Sequence, residues 1–175
     1  MDTLLATAHA LAWAVHLGGA LTMHWVLRYA QREMPGSQVG IVCKRSGGRY
    51  RWFALVALGV VGVTGVLMLA TTSDTEFAAR PGSPSLSLAD SYGRTMLALS
   101  VTWVMLVVAV AAMAFWLHPA QSKRSRPNMT HEQIQAERQR IGQAIQRMDR
   151  VLRFELIAGL GAVAIGASLH QGGLF

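Results

Sequence analysis

The sequence predicts an all-α integral membrane protein, an antiparallel four-helix bundle whose fourth helix extends into the cytoplasm. The first reason is composition: 52% of the 175 residues are hydrophobic and only 14% are charged, whereas soluble domains carry about a quarter charged residues. The second reason is that four stretches lack Asp, Glu, Lys and Arg: Leu4–Leu27, Trp52–Ser73, Thr95–Leu117 and Leu156–Phe175. Each stretch reaches the roughly 20 residues that a helix needs to cross a bilayer.

We expect a single transmembrane domain over residues 1–175, with spans at approximately 4–27, 52–73, 95–117 and 154–172. The first span is not a cleaved signal peptide, because Asp2 is its only early charge and its apolar stretch is too long. Pro35–Gly36 should end the helix that continues beyond this span, and Gly47–Gly48 precedes the second span.

The residues before the fourth span predict an amphipathic cytoplasmic helix over 131–153. Thr130 followed by Gln133 is a capping-box start. Apolar residues then recur at helical spacing: Ile134, Ile141, Ile145, Met148 and Leu152. We expect this helix to run unbroken into span four. Its charged face is either a solvated surface or a docking surface for a partner subunit.

The positions of the basic residues predict the orientation. Of the 16 Lys and Arg residues, all but Arg80 and Arg94 lie between spans one and two or between spans three and four. Because basic connections stay in the cytoplasm, both termini should face outward. The expected location is the bacterial inner (plasma) membrane, with lipid as the first partner.

The net charge of +7 therefore reflects membrane topology, and a nucleic-acid partner is not expected, since no nucleic-acid motif accompanies it. The single cysteine, Cys43, can form no internal disulfide and needs no special role. The sequence also lacks a CxxCH haem-attachment motif, a P-loop, a GxSxG elbow and an HExxH motif.

Three histidines lie in the first apolar stretch, at positions 9, 16 and 24 of "HALAWAVHLGGALTMH". His9 and His16 are seven residues apart and share one helix face, separated by ~10 Å along the axis. His24 lies ~12 Å further along and 60–80° around. Polar groups are costly inside a membrane, and three on one helix indicate a function. Neutral imidazole is the commonest metal ligand.

Two further histidines match these depths. The third span ends at His118, level with His24, and the fourth reaches His170, level with His9. The sequence thus predicts two sites, His9 with His170 and His24 with His118, because His9 and His24 are ~22 Å apart and one macrocycle cannot use both. His16 is an alternative ligand between them, and His131 is a solvated surface residue.

The cofactor is predicted to be haem b, with copper as the alternative. Apart from Tyr29 and Tyr92 at the edges, histidines are taken as the only ionisable residues in the spans, which favours a metal or haem over a proton relay. Arg28, Arg51 and Arg94 border the spans and could bind haem propionates, although interfacial arginines are also ordinary anchors. Copper would use His24 with the adjacent thioether of Met23.

Small residues recur at helical spacing in two spans: Gly59, Gly62 and Gly65 in the second, and Ala158, Ala162 and Gly166 in the fourth. Such residues let helix backbones approach closely in lipid. They would equally admit a flat macrocycle, and the sequence leaves both interpretations open.

The runs "HLGGALTMHWVLR", "GRYRWFALVALGVVGVTGVLML" and "YGRTMLALSVTWVML" resemble the copper resistance protein D superfamily. That superfamily is similar to the four-helix, haem-binding protoporphyrinogen oxidases of bacteria. The resemblance implies a four-helix membrane bundle with copper uptake in one branch and a haem-dependent oxidase in the other, and a span-one histidine ligand, His16 or His9. The oxidase branch has a lysine in its third span, which this chain lacks.

The predicted function is haem-b binding with electron transfer. The protein would act alone with quinone, or as the membrane anchor of a redox complex with a partner subunit. A copper-handling membrane protein and a cofactor-free structural subunit are the alternatives. Oligomeric state does not follow from the sequence.

Overall fold

The computed structural model describes residues 2–73, 91–117 and 130–169, and within these ranges all regular structure is helical and none is strand. The helices are α1 (Asp2–Leu21), α2 (Leu27–Glu33), α3 (Gly36–Ser73), α4 (Ser91–Ala112) and α5 (His131–Ser168). One π-helical segment, Thr22–Val26, joins α1 to α2, and another, Met113–Leu117, continues α4.

Four stretches of this helical structure are long and apolar enough to cross a membrane: Thr3–Glu33, Arg45–Thr71, Ser91–Trp116 and Gln146–Ser168. The prediction of an all-α chain with four helices of membrane-spanning length is therefore confirmed for the described residues. The connections 74–90 and 118–129 and the end of the predicted fourth span, 170–172, lie outside them.

Two local predictions are confirmed. Met34 adopts an extended conformation (φ −89°, ψ 145°) at the end of α2, because the residue before a proline is driven out of the helical region. Thr130 accepts a hydrogen bond from the Gln133 backbone, and the Gln133 side chain accepts one from the Thr130 backbone. This capping box starts α5, which then continues for 38 residues without a break.

Helix α3, which contains the second span, begins earlier in the chain than the apolar stretch. We expected Gly47–Gly48 to precede the span, but α3 starts at Gly36 and includes both glycines. A helix-interior glycine costs only about 1 kcal/mol relative to alanine, which is too little to interrupt a packed helix of 38 residues.

The helices pack in a closed order: α1 lies against α3 and α5, and α4 lies against the same two helices. Their shared core consists mainly of small and aliphatic side chains: Ala20, Tyr50, Ala54, Leu58, Leu106, Val110, Met113 and Leu152. Large apolar side chains also cover the outer faces, including Val56, Val63, Val66, Val108 and Ile157. Apolar outer faces are typical of helices that lipid surrounds.

The glycines of the second and fourth spans differ in what surrounds them. A Cβ atom on Gly62 would collide with the Trp103 ring, and one on Gly65 would lie 3.6 Å from His9 Cε1. Gly59 faces open space. In the fourth span, Gly166 also faces open space, whereas a Cβ on Gly159 would lie 2.7 Å from Leu17. Helix packing therefore explains Gly62 and Gly159.

Candidate functional site

His9 is held by hydrogen bonds at both ring nitrogens. Trp13 Nε1 donates to His9 Nε2 over 3.2 Å, which assigns the ring proton to Nδ1. Nδ1 then donates to Thr64 Oγ1 at 2.8 Å, and the Thr64 hydroxyl donates to the Val60 carbonyl oxygen at 2.6 Å. The imidazole therefore links α1 to α3, and binding a metal would require it to give up one of these bonds.

His16 lies two turns further along the same face and is the opposite case. Its side chain is completely buried, yet neither Nδ1 nor Nε2 has a hydrogen-bond partner among the described residues. Its nearest ring neighbour is Trp13, at 6.1 Å between ring centroids in an edge-to-face arrangement. A buried polar group without a partner costs about 1–3 kcal/mol, so this imidazole needs an explanation beyond packing.

His24 lies in the first π-helical segment. Single turns of π-helix within α-helices occur frequently at functional sites. His24 Nδ1 is buried and has no partner in the described part of the chain. The preceding residue, Met23, is partly buried against the hydrophobic core.

The other predicted ligands divide into two groups. His118 and His170 lie outside the described residues, so the pairings of His9 with His170 and of His24 with His118 stay predictions. His131 is exposed, as expected. Within the described ranges, no group of three or more His, Cys, Asp or Glu side chains is placed to hold a metal ion.

Two of the three arginines proposed for propionates already have protein partners. Arg28 Nη2 lies 2.6 Å from Asp149 Oδ2 in an ion pair. Arg51 Nη1 donates to the Ala114 carbonyl oxygen at 3.2 Å. Arg94 is exposed near the start of α4.

The statement that histidines are the only ionisable residues inside the spans is wrong. Glu155 is completely buried within the fourth span, and Tyr50, also buried, lies within the second. The Tyr50 hydroxyl donates to Glu155 Oε2 at 2.8 Å, and Oε1 has no partner in the residues described. Tyr50 directly precedes Arg51, and Glu155 lies two residues after Arg153. Both therefore come just before a charge-free stretch, and counting such stretches placed them at the boundary. The available signal was an acid directly followed by "LIAGLGAVAIG".

We compared the chain with protein-family models, with curated proteins and with solved structures, and none of them matches it.

Proposed function

We propose that the protein is an antiparallel four-helix membrane bundle that binds haem b through His16 and transfers electrons. The single observation behind this proposal is the state of His16, a fully buried imidazole whose two nitrogens find no hydrogen-bond partner among the residues that the structure describes. Neutral imidazole is the usual axial ligand of haem b, and coordination would relieve the cost of burying it.

Contacts between helices support the antiparallel order, because early residues of each helix meet late residues of its neighbour. Between α1 and α3, His9 meets Thr64 and Gly19 meets Tyr50. Between α3 and the fold's third span, Leu58 meets Trp103 and Arg51 meets Ala114. Between the first span and α5, Leu17 meets Gly159 and Arg28 meets Asp149. These pairs support the proposed alternation of chain direction from span to span.

Exposed aromatic and basic residues support a membrane boundary at one end of this bundle. The aromatic side chains there are Trp25, Tyr29, Trp52, Phe115 and Trp116, and Trp52 meets Phe115 edge to face. Aromatic belts mark both interfaces of a membrane, and an excess of basic residues marks the cytoplasmic one. We place this end at the cytoplasmic face of a bacterial inner membrane, with both termini outside and the first part of α5 extending into the cytoplasm.

Reporter fusions test this orientation. Fusions after Gln38 and after Arg126 should report cytoplasm, and a fusion after Ser85 should report the outside. The reverse pattern would invert the assignment and place the basic end outside.

The described residues fit a haem in ligand chemistry and restrict where its ring can lie. His16 supplies a free imidazole, while His9 has none to offer without losing a hydrogen bond. The faces of α3 at Gly62 and of α5 at Gly159 are filled by Trp103 and Leu17, so neither glycine offers a slot that a macrocycle would occupy.

When bound, the haem supplies one-electron redox chemistry. His16 would hold the iron and help to set its potential. The buried core side chains Leu58, Leu106 and Val110 keep water from the interior, and low polarity around a haem further tunes its potential. The electron partner is a quinone or a redox subunit, and the exposed face of α5 offers the latter a docking surface.

The test is visible spectroscopy of the protein purified from membranes of haem-sufficient cells. We expect a Soret band and, on dithionite reduction, the split visible bands of a b-type haem, with one porphyrin extracted per bound iron. A colourless protein that takes up no added haemin would refute the proposal.

Copper handling is the second candidate. It is supported by His24 Nδ1, which is buried without a hydrogen-bond partner in the described ranges and belongs to the residue after Met23. Copper(I) accepts both imidazole and thioether ligands. A colourless preparation with stoichiometric copper by elemental analysis, lost in Met23→Leu and His24→Ala variants, would favour it over haem.

A further inference from the structure

Glu155 and Tyr50 form a buried polar pair that the proposed haem site does not use. The carboxyl group is completely buried, and Tyr50 is only 7% exposed. The Tyr50 hydroxyl donates to Oε2 at 2.8 Å. A Cβ on Gly19 would lie 2.9 Å from the Tyr50 ring, so the glycine in α1 is what admits this ring to the interior. The other carboxyl oxygen, Oε1, has no partner within the described ranges.

No described cation pairs with this carboxyl group. Of the basic groups at this end of the bundle, Arg28 is bound to Asp149 and Arg51 donates to the Ala114 carbonyl oxygen. His16 is the buried titratable residue of α1 at a neighbouring level. Near this end, the buried side chains contributed by α4 and the π-helical segment after it are apolar: Leu106, Val110, Met113 and Ala114. The buried polar residue of α4, Thr95, lies near the other end of that helix.

An isolated carboxylate in an apolar interior is expensive, and such groups in membrane proteins commonly belong to proton pathways. A carboxyl group with one oxygen already hydrogen-bonded can become neutral by taking a proton on the other. Here the oxygen without a partner is Oε1, so the geometry leaves a defined position for that proton.

The site is also close to the basic end of the spans. Exposed Arg153 and Phe154 directly precede Glu155 on α5, and Arg51 and exposed Trp52 directly follow Tyr50 on α3. Two residues along a helix correspond to ~3 Å. A proton from the aqueous phase at this end would therefore travel a short distance to reach Oε1.

We propose that Glu155 and Tyr50 form an intramembrane proton-binding site, in which Oε1 takes up one proton from the basic side of the bundle and releases it again. Tyr50 keeps its own proton throughout and holds Oε2 by its hydrogen bond. The carboxyl group thereby changes between a negative and a neutral state, while the tie between α3 and α5 is retained.

A purely structural pair makes a different prediction. A tie between α3 and α5 needs an acceptor for the Tyr50 hydroxyl, and the amide oxygen of glutamine provides one. Glu155→Gln should therefore keep the fold and its thermal stability while removing the exchangeable proton. If the pair is purely structural, the Glu155→Gln variant should instead show every pH-dependent signal that the wild-type protein shows.

The experiment is infrared difference spectroscopy between acidic and alkaline buffer, on wild-type protein in lipid vesicles of phosphatidylethanolamine and phosphatidylglycerol. We expect a carboxylic C=O stretching band that appears in acid, is lost in alkali and is missing in Glu155→Gln. In Tyr50→Phe the band should remain but move to higher frequency, because a hydrogen bond to a carbonyl oxygen lowers its stretching frequency. Glu33→Gln, at an exposed acid, is the matched control and should leave the band unchanged.

Identical acid-minus-alkaline spectra for wild type and Glu155→Gln would overturn the proposal. An unchanged frequency of the carboxylic band in Tyr50→Phe would overturn it as well. If Glu155→Gln does not fold, Glu155→Asp replaces it, and the proposal then requires a band at a changed frequency. The band belongs to the carboxyl group itself, so its presence does not depend on haem binding.

Discussion

His9 and His16 lie on the same face of one helix, two turns apart, and their surroundings are opposite. The His9 ring is half-buried, and its two nitrogens are hydrogen-bonded to Trp13 and Thr64. The His16 ring is fully buried and has no hydrogen bond among the described residues. The more deeply buried imidazole is thus the one without partners, which is the reverse of what packing alone would select.

The same contrast separates two acids on α5. Asp149 is partly exposed and forms an ion pair with Arg28. Glu155, six residues later, is buried, and its Oε1 has no hydrogen-bond partner among the described residues. Satisfied polar groups link helices, and their loss should affect stability. Unsatisfied buried groups have no structural benefit of their own, and their loss should affect binding or proton exchange.

The largest expected effect is on haem content when His16 is changed. His16→Ala should abolish the Soret band while the protein stays folded, because the ring forms no hydrogen bond within the described part of the chain that the substitution would break. His9→Gln is the matched variant on the same face and should retain the haem. Both are measured by pyridine haemochrome assay and by circular dichroism in detergent. A fully loaded His16→Ala protein would remove the distinction between the two histidines and return the ligand question to the pairings with His118 and His170.

Close packing near His9 gives the next effect. Gly62→Ala should destabilise the protein by about 1–3 kcal/mol, the usual cost of an overpacked core. The new methyl group meets the Trp103 ring, and that ring cannot move freely because Trp103 Nε1 donates to the Leu58 carbonyl oxygen at 2.9 Å. Gly59→Ala, one turn earlier and facing open space, is the control and should be neutral or slightly stabilising. Equal thermal stability for the two variants would mean that Trp103 is not held as described.

The sequence predicted much of this fold because its strongest signals are local. Charge-free length located four spans, the proline after Met34 located a helix end, and the Thr130–Gln133 spacing located the start of α5. The sequence alone could not show which histidine ring is already hydrogen-bonded within the protein, since the bond from His9 to Thr64 joins residues 55 positions apart. Glu155 was missed for a similar reason: its burial depends on Tyr50, 105 residues earlier, and no periodicity within either helix reports that contact.

Removing the acceptor of His9 would make its surroundings more like those of His16. Thr64→Val keeps the side-chain shape but leaves His9 Nδ1 without its partner at 2.8 Å. We expect a loss of about 1 kcal/mol, near the typical value for one hydrogen bond and above the average for membrane helices. Haem content should not change. Thermal unfolding in detergent measures the first effect and absorbance the second. Unchanged stability together with reduced haem would assign His9 to the cofactor.

The ion pair between Arg28 and Asp149 should have the smallest effect. The Arg28 side chain is 38% exposed and that of Asp149 is 20% exposed, so solvent weakens their attraction, and such pairs typically contribute less than about 1 kcal/mol. A double-mutant cycle with Arg28→Gln and Asp149→Asn measures this coupling, which should decrease as salt is added. If Arg28 instead binds a propionate, Arg28→Gln alone should shift the haem midpoint potential, and Asp149→Asn should not lower haem affinity. A coupling free energy that does not change with salt would show that the ion pair is shielded from water. Asp149 and Glu155 would then differ only in their hydrogen-bond or ion-pair partners and not in their exposure to solvent.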